Sequence, residues 1–585
     1  MTRRILGFVL TCAAVALGAA PVGAITIYPI DRAQILAGSR FDLKIEFDGV
    51  VAASDAKVTI DGADLSAALG RSAVFVERED GVAASALILR DVSLFKPGRY
   101  AVVASDGKGS RAVSWEVYAT GPRKARNVIL FIGDGMAATH RTAARILTAG
   151  ITEGKYHRGL AMDAMTNMAL VGTAGVDSLI TDSANSASAY TTGHKSSNNA
   201  LGVYADRTPD TLDDPRVETL TSLVKRTHGM AVGVVTNTEV EDATPAAMVA
   251  HTRRRSDYDP IVGMFHESAV DVLMGGGSAY FLPKSAAGSR RKDDVDYMAK
   301  FRASGYTVVS TDRELKSAAA DPATRKLLGL FHPSNMDGVL DRKFLKQGTV
   351  TSFPEQPDLV DMVKTALTVL SRRDNGFVLL VESGLIDKYS HPLDWERAVM
   401  DTIMLDRAVA AAKEFAAARN DTLILVTADH AHGLSLVGTV DDGIKSQEMR
   451  DKIGVHEKAG YPNYPPATDD GYPPLLDVSR RLAIFFSVFP DHYETYRPKL
   501  DGPFVPAVVA PDRSYVANEK YKDAPGAVLR VGNLPHSANQ GVHSGEDVIL
   551  TATGPGADRV RGFLDNTEVF RIIVDALGLA AAPAQ

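Results

Sequence analysis

The hydrophobic and polar positions divide the chain into two parts. From residue 25 to about 120, short segments such as 41–47 alternate apolar and polar residues, and Asp-Gly and Pro-Gly turns separate them. Alternation with a period of two is typical of strands with one buried face. We expect residues 25–120 to form a small β-sandwich of immunoglobulin-like type. This part has no cluster of histidines and acidic residues, which favours a structural or docking role.

After Gly121 and Pro122 the apolar positions form continuous runs, and some segments show helical spacing instead. Continuous apolar runs suit strands that are buried on both faces. The predicted fold of residues 121–585 is therefore α/β and doubly wound, with a mainly parallel central sheet flanked by helices. The strand candidates are 127–132, 231–235, 377–381 and 423–426, and the helix candidates are 358–373 and 394–418.

Between about residues 433 and 536 this pattern is lost, and proline-rich turns interrupt the chain. We expect an irregular insertion in this region. Its aromatic residues are predicted to be buried in the insertion's own core, with stacking on a nucleotide base and a dimer contact as alternatives. These aromatic residues are Phe485, Phe486, Tyr493 and Tyr496.

The first 24 residues have the features of a secretory signal peptide. Arg3 and Arg4 precede an apolar run over 5–20, and small residues follow it. This run is short for a bilayer span, and no later stretch reaches about 18 unbroken apolar residues. The protein is therefore predicted to be periplasmic or secreted after cleavage, with no membrane span. The general secretory and twin-arginine routes both stay open.

The amino-acid composition limits the possible partners and metal ligands. The chain has 585 residues, of which 45% are hydrophobic, and a formal net charge of −7, which argues against a nucleic-acid partner. Its single cysteine, Cys12, lies inside the predicted signal peptide. The mature chain then has no thiolate ligand, so a metal site must be built from histidine, aspartate and glutamate.

Candidate metal ligands follow three of the predicted strands. Asp134 comes after the run at 127–132, Glu382 after the run at 377–381, and Asp429 and His430 after the run at 423–426. Ligands of open α/β sheets bind at the carboxyl ends of the strands, so these side chains are expected to converge. Each one alone also fits an ordinary turn.

Asp387 and His391 are four residues apart, which places both on one face of a helical turn. This spacing is common in two-ligand metal sites. His543 precedes a late apolar run and is a further candidate ligand. An ordinary helix-face hydrogen bond and a loop histidine are the alternatives.

Ser183 opens an Ala/Ser-rich segment that is predicted to be a short helix ending at Gly193. The N-terminus of a helix carries positive partial charge and free N–H groups, which favour an alkoxide or a bound phosphate. From the local sequence alone, Asp182 or Ser183 acting only as the N-cap is the competing interpretation.

Six separated motifs favour the catalytic interpretation of Ser183 over the helix cap, because their order along the chain matches that of one family. The chain resembles the alkaline phosphatase family over roughly residues 125–575. Six motifs in the right order make chance agreement negligible. The motifs are 132–136 (IGDGM), 181–184 (TDSA), 242–247 (DATPAA), 382–391, 427–432 (TADHAH) and 543–548 (HSGEDV).

The resemblance implies hydrolysis of phosphate monoesters through a phosphoserine on Ser183, with two Zn²⁺ ions and one Mg²⁺ ion. Nitrogen and oxygen ligands suit zinc, and hard oxygen ligands suit magnesium. Asp242 is expected to act on the magnesium through a water molecule. The implied ligands are Asp387, His391 and His543 for the first zinc, Asp134, Asp429 and His430 for the second, and Asp134, Thr244 and Glu382 for magnesium.

The resemblance also assigns groups around the phosphate. The family has an arginine eleven residues after the threonine of its Asp-Ala-Thr motif, which is Arg255 here, although Arg253 and Arg254 are adjacent. Its fork can bind two phosphate oxygens. Lys388 is expected to hold water near the phosphate, and His432 to orient a metal ligand.

Three other functions are alternatives to phosphate monoester hydrolysis. A sulfatase needs x-Pro-x-Arg after its nucleophile, whereas Ala184 and Asn185 follow Ser183. Related phosphodiesterases usually have a threonine nucleophile and no third metal, whereas Thr244 and Glu382 supply a third site. Phosphodiesterase activity is the main alternative, and a non-catalytic surface-binding protein is a weaker one. The expected substrates are small phosphate monoesters, with nucleotides and a homodimer left open.

Overall fold

In the computed structural model of the protein, residues 25–444, 448 and 452–580 are described. The predicted signal peptide, 1–24, lies outside these residues. Within them, no helix combines the length and the apolar character that crossing a bilayer requires.

The N-terminal part consists of two sheets around a shared core. The sheets have the orders β1-β3-β7-β6 and β2-β9-β8-β4-β5, and Phe41 packs edge-to-face on Trp115 inside them. This arrangement is the predicted β-sandwich. The strands are β1 Ile25–Tyr28, β2 Gln34–Leu36, β3 Phe41–Phe47, β4 Lys57–Ile60, β5 Ala63–Asp64, β6 Val74–Val76, β7 Ala86–Val92, β8 Gly98–Ser105 and β9 Ser110–Tyr118, with one helix, α1 Leu65–Leu69.

One strand of the sandwich differs from the pattern that its sequence indicates. All seven residues of β3 are buried, although apolar and polar residues alternate along it. The polar side of β3 is covered by a later part of the chain. The Asp42 N–H donates to the Arg216 carbonyl at 2.8 Å, and the Arg216 N–H donates to the Asp42 carboxylate at 3.0 Å.

The rest of the chain forms the predicted α/β unit. Its strands are β10 Asn127–Gly133, β11 Ile151–Thr152, β12 Lys155–Tyr156, β13 Asn167–Gly172, β14 Ala231–Glu239, β15 Val272–Gly276, β16 Thr307–Val309, β17 Leu327–Leu330, β18 Phe377–Ser383, β19 Thr422–Thr427, β20 Leu434–Asp441, β21 Arg480–Phe486, β22 His492–Glu494, β23 Ala507–Val509, β24 Tyr515–Ala517, β25 Val528–Arg530, β26 Val548–Thr553 and β27 Arg561–Asp565. The α-helices are α2 Ala138–Ala149, α3 Ser183–Thr192, α4 Leu220–His228, α5 Ala243–Ala246, α6 Tyr258–Glu267, α7 Tyr297–Ala303, α8 Asp312–Ala320, α9 Leu359–Leu370, α10 Leu385–Ser390, α11 Trp395–Ala417 and α12 Asn566–Leu577. A π-helical turn occupies Leu340–Leu345.

The central sheet has ten strands in the order β16-β17-β15-β14-β18-β10-β19-β26-β13-β27. Of these strands, β26 alone runs antiparallel to its neighbours. The four apolar runs singled out in the sequence are β10, β14, β18 and β19, and every residue of these strands is buried. The doubly wound, mainly parallel α/β fold is thus confirmed.

The segment between residues 433 and 536 is less irregular than its sequence indicates. It contains three antiparallel pairs, β20 with β21, β22 with β25 and β23 with β24. Phe486 and Tyr496 are buried, and Phe485 packs against the small core that contains Tyr496. Tyr493 is half-buried, and its hydroxyl donates to Glu519 at 3.1 Å.

Candidate active site

The parallel sheet brings the predicted ligands of three strands to one edge. Ile132, near the end of β10, lies in register with Glu382 of β18 on one side and with Thr427 of β19 on the other. Asp134 and Asp429 each lie just beyond the end of their strands, and both are buried. Convergence at the carboxyl ends of the strands is therefore observed.

Ser183 is the first residue of helix α3, and Asp182 is its N-cap. The Asp182 carboxylate accepts from the Asn185 N–H at 3.1 Å, and the Asn185 amide oxygen accepts from the Asp182 N–H at 3.0 Å. Because Asp182 caps the helix, the Ser183 hydroxyl is not needed for capping. The Ser183 Oγ lies 3.4 Å from both carboxylate oxygens of Asp134 and 3.3 Å from Nε2 of His430.

A first group of side chains surrounds one oxygen of Asp387. Nε2 of His432, His391 and His543 lies 2.7, 3.4 and 3.5 Å from Asp387 Oδ1. Nδ1 of His391 donates to the Gly541 carbonyl at 2.7 Å, and Nδ1 of His543 donates to the Thr181 carbonyl at 2.8 Å. Since a carbonyl only accepts, Nδ1 carries the proton in both rings. Nε2 of each ring then presents its lone pair to the cluster.

A second group contains Asp134, Asp429 and His430. Nε2 of His430 lies 3.1 Å from Asp134 Oδ1 and 3.5 Å from Asp429 Oδ2. Asp429 Oδ1 accepts from the backbone N–H groups of Gly135 and His430, which fixes the carboxylate. The rings of His430 and His543 stack with centroids 3.5 Å apart. The two groups are therefore adjacent, as two neighbouring cation sites require.

Two of the residues predicted to hold a third ion, Glu382 and Thr244, are buried near the carboxyl end of the sheet. Glu382 is buried, and one of its carboxylate oxygens accepts from the hydroxyls of Thr238, at 3.1 Å, and Thr236. The sequence motifs do not include Thr236 and Thr238. Their position directly after the apolar run 231–235, at alternate residues, is nevertheless typical of side chains at the end of a buried strand. Thr244 lies in helix α5, which packs against α3 and β18.

Arg255 and Lys388 meet at one carboxylate. Arg255 Nη2 donates to Asp242 Oδ1 at 2.7 Å, and Lys388 Nζ lies 3.1 Å from Asp242 Oδ2. Arg255 Nη1 lies 3.8 Å from Asp182 Oδ2, and Lys388 Nζ lies 3.6 Å from Asp387 Oδ2. Both cations remain partly accessible, with 20% and 28% of their side-chain surface exposed. They place positive charge next to Asp182, the residue before Ser183, and next to Asp387 of the first group.

The neighbouring arginines point elsewhere. Arg253 forms ion pairs with Asp206 and Asp214, and Arg254 with Asp257. Of the three consecutive arginines, the geometry brings Arg255 to the cluster. Asp182 is a partner of Arg255 that sequence reasoning treated only as a helix cap.

The electrostatics of the cluster favour cations. Burial, together with the nearby Asp387 and Asp429 carboxylates, raises the pKa of Asp134 well above its usual range. Burial would also raise the pKa of Asp242, but Lys388 and Arg255 hold it well below its usual range. Buried carboxylates are costly unless cations compensate them. Asp134 and Asp429 have no comparable lysine or arginine partner among the described residues.

Two buried polar atoms that lack hydrogen-bond partners also indicate that the site holds cations. Within the described ranges, Asp429 Oδ2 and Thr244 Oγ1 are buried without any hydrogen-bond partner. Leaving such atoms unsatisfied costs about 1–3 kcal/mol each. Two sets of mutually close ligand atoms occur at the site, one from Asp387, His391, His432 and His543 and one from Asp134, Asp387 and His430. The residues present thus fit divalent metal ions.

Comparison with known proteins identifies the family. A family model described as alkaline phosphatase matches residues 125–579. The chain belongs to the alkaline phosphatase family. It is 34% identical over 383 residues to the alkaline phosphatase of Escherichia fergusonii, a match that covers 58% of this chain and 77% of the relative. This alkaline phosphatase family member is therefore a metal-dependent hydrolase of phosphate monoesters, as its sequence predicted.

Solved structures agree with this assignment. The alkaline phosphatase of Thermus thermophilus matches with a TM-score of 0.56 and 27% identity, over 79% of this chain and 93% of that one. A variant of the TAB5 alkaline phosphatase, described with Mg bound in its M3 site, matches with a TM-score of 0.51 and 21% identity, over 78% of this chain and 98% of that one. The second likeness supports the fold alone.

Proposed function

We propose that Ser183 is the nucleophile of this phosphatase and that the reaction passes through a phosphoserine. The observation that carries this proposal is the position of the Ser183 Oγ, 3.3–3.4 Å from candidate ligand atoms of Asp134 and His430. Its place at the N-terminus of helix α3 adds a positive dipole end and free N–H groups. A hydroxyl in this setting is prepared to carry negative charge.

We infer that the cluster holds two Zn²⁺ ions and one Mg²⁺ ion. The mixture of imidazole nitrogens and carboxylate oxygens in the first two groups suits zinc. The third set has only oxygen donors, which suit magnesium. The proposed ligands are Asp387, His391 and His543, then Asp134, Asp429 and His430, and for magnesium Asp134, Thr244 and Glu382, with Asp242 acting through water.

When bound, such ions supply positive charge that lowers the pKa of a nearby hydroxyl and stabilises a leaving oxygen. The Ser183 hydroxyl gives its proton to solvent and its Oγ attacks phosphorus in line. The bond from phosphorus to the ester oxygen breaks, and the leaving alkoxide takes a proton from solvent and departs as the alcohol. The Arg255 fork binds two phosphoryl oxygens, and Lys388 holds water beside them.

A water molecule then attacks phosphorus of the phosphoserine and the bond from phosphorus to the Ser183 Oγ breaks. Inorganic phosphate leaves, and a proton lost by the attacking water restores the Ser183 hydroxyl. His432, whose Nε2 lies 2.7 Å from Asp387 Oδ1, orients that ligand.

Several wider assignments belong to the same proposal. Residues 1–24 would be a signal peptide, and the mature enzyme would act in the periplasm or outside the cell on small phosphate monoesters, nucleotides among them. The domain division would be 25–120 and 121–585, with an insertion at 433–536. A homodimer is the proposed alternative to a monomer.

Replacement of Ser183 by alanine tests the nucleophile. Turnover of an aryl phosphate monoester by the metal-loaded Ser183→Ala variant should fall by several orders of magnitude, because no other hydroxyl replaces the attacking atom. Acid quenching during turnover should yield a phosphorylated peptide containing residue 183 in the wild type and none in the variant. Ser197→Ala, in the loop after the same helix, is the control and should behave as wild type. Wild-type monoester turnover by Ser183→Ala would overturn the proposal.

The same preparations separate the two candidate activities. Rates with an aryl phosphate monoester and with the corresponding diester should favour the monoester. A faster diester rate in the wild-type enzyme would transfer the function to the phosphodiesterase alternative.

A further inference from the structure

A buried lysine joins the N-terminal sandwich to the catalytic part of the chain. Lys44 lies in β3, and only 1% of its side chain is exposed. Its Nζ lies 2.5 Å from Asp206 Oδ2, 2.6 Å from Glu79 Oε1 and 3.5 Å from Glu46 Oε1. Glu46 and Glu79 belong to the sandwich, whereas Asp206 belongs to the segment after helix α3. The ammonium is therefore a buried cation that bridges the two parts, and Arg207, with Nε 3.7 Å from Glu46 and 3.6 Å from Glu79, adds a second, more exposed one.

Asp206 is held from its other side by Arg253. Arg253 Nη1 donates to the Asp206 carbonyl at 2.7 Å, and Nη2 donates to Asp206 Oδ1 at 3.2 Å. Arg253 Nε lies 3.2 Å from Asp214 Oδ2. Asp206 is thus clamped between a lysine of the sandwich and an arginine two residues before Arg255.

Backbone contacts continue this path to the active site. The Leu201 N–H donates to the Thr252 carbonyl at 2.7 Å, and the Thr252 N–H donates to the Leu201 carbonyl at 3.0 Å. The Arg255 N–H donates to the Asn199 carbonyl at 2.8 Å, and the Asn199 N–H donates to Asp182 Oδ2 at 2.8 Å. Segment 199–206 therefore ties the arginine loop 252–255 to the start of helix α3, where Ser183 lies.

The same segment is packed into the sandwich. Tyr204 and Val217 belong to the sandwich's hydrophobic core. The ring of Tyr28 stacks on that of Tyr204 with centroids 5.7 Å apart, and its hydroxyl donates to the Ala205 carbonyl at 3.1 Å. The position of segment 199–206 is therefore set by the sandwich as well as by the α/β unit.

We propose that the N-terminal sandwich positions the phosphate-binding arginine, with Lys44 as a positioning residue that acts on Arg255 through Asp206 and Arg253. The charged partners of Lys44 are Glu46, Glu79 and Asp206, none of which is a candidate metal ligand. Without its ammonium, Asp206 faces Glu79 and Glu46 with less compensating charge, so segment 199–206 shifts away from the sandwich. The arginine loop shifts with it, because Asn199 and Leu201 hold its backbone.

Lys44→Met should weaken phosphate binding in the metal-loaded enzyme. Misplacement of a binding group by about 1 Å can cost about 100-fold, and a smaller shift of Arg255 should cost about tenfold. We expect about a tenfold rise in KM for an aryl phosphate monoester and in the calorimetric Kd of inorganic phosphate. The loss in kcat should be smaller, since the fork binds phosphoryl oxygens in the ground state too. Lys57→Met, an exposed lysine of the same sandwich, is the matched control and should change neither value.

The Arg255→Ala background separates positioning from a general loss of structure. If Lys44 acts through Arg255, Lys44→Met should add no further loss of phosphate affinity to Arg255→Ala. An equal loss in both backgrounds, or wild-type phosphate affinity in Lys44→Met, would overturn the inference. If Lys44→Met does not fold, Asp206→Asn decides, because it keeps the side-chain volume while removing the clamped charge, and it should show the same background dependence.

The inference rests on the proposed role of Arg255, and the two can fail separately. If Arg255→Ala itself leaves the Kd of inorganic phosphate unchanged, the proposed function of Arg255 is wrong. If Arg255→Ala weakens phosphate binding while Lys44→Met and Asp206→Asn do not, only the positioning role of the sandwich is wrong.

Discussion

Replacing Arg255 by lysine should impair the enzyme although the charge is kept. In the structure Arg255 Nη2 donates to Asp242 Oδ1 at 2.7 Å, while Nη1 lies 3.8 Å from Asp182 Oδ2. These two carboxylates fix the plane of the guanidinium, so that its fork can hold two phosphoryl oxygens. A lysine ammonium is a point charge on a flexible stem, and it has no planar fork to present in this way.

The size of the effect follows from the hydrogen bonds that are lost. A hydrogen bond to a charged group contributes about 1.5–3 kcal/mol. Lysine can replace one of the two bonds of the fork, so Arg255→Lys should lose one of them in the transition state. Each 1.36 kcal/mol changes a rate tenfold, which gives a fall in kcat/KM of about 10- to 150-fold.

Arg254→Lys is the matched control, since the same substitution is made one residue away. Arg254 has 59% of its side chain exposed and pairs with Asp257 at 2.9 Å. Exposed ion pairs contribute about 0–1 kcal/mol to stability, and this one does not face the metal cluster. The assay is kcat/KM for an aryl phosphate monoester at saturating zinc and magnesium. Equal losses in the two variants, or a loss below about threefold in Arg255→Lys, would refute the reasoning.

Three further outcomes are expected. Chelation should abolish activity and lower the unfolding temperature, and addition of zinc with magnesium should restore both. An ion at 100 times its Kd stabilises the folded state by about 2.7 kcal/mol. Calorimetry with and without added metal measures the change in unfolding temperature. Thr244→Val removes a hydroxyl that is buried without a hydrogen-bond partner in the described part of the chain. It should leave the metal-free protein at least as stable while raising the magnesium concentration needed for half-maximal activity about tenfold or more, as an activity titration would show. Burial raises the pKa of Asp401 to about 7. The folded state therefore loses stability as pH rises from about 4 through 7, and Asp401→Asn should stabilise the protein by about 2–3 kcal/mol more at pH 8 than at pH 5 in denaturant titrations.

The sheet and the gathering of the site could be predicted because both depend on simple rules. The strands β10, β14, β18 and β19 are buried on both faces, so their sequences are continuously apolar and stand out. Their parallel arrangement then forces the residues that follow them to one edge. The assignment of Ser183 depended instead on the order of several motifs, because a serine at a helix start is locally indistinguishable from a cap.

The short strands inside the insertion could not be predicted for a physical reason. Strand β20 pairs with β21, about forty residues later in the chain. The exposure of β20 is mixed, and although five of the seven residues of β21 are buried, its apolar part is only the short run 482–486. Two-stranded ribbons of this kind gain their stability from packing on a neighbour, so their sequences need no long apolar run. Phe486 supplies such packing, since its ring contacts that of His432 with centroids 6.4 Å apart. The insertion therefore reaches the candidate metal cluster through a contact that local sequence patterns do not encode.

The burial of strand β3 is the feature that its sequence pattern predicts least well. Its alternation predicts one buried and one exposed face, yet Asp42, Lys44 and Glu46 are all buried. A charged residue can be buried only where partners from elsewhere compensate it. Besides Glu79 and Arg90 of the sandwich itself, these partners include Asp206 and the backbone N–H of Arg216, more than 150 residues away. Single-strand patterns report hydrophobicity and cannot report such partners. Because Asp206 ends segment 199–206, whose backbone bonds to the arginine loop 252–255, the polar face of a strand outside the family match is connected to the candidate site.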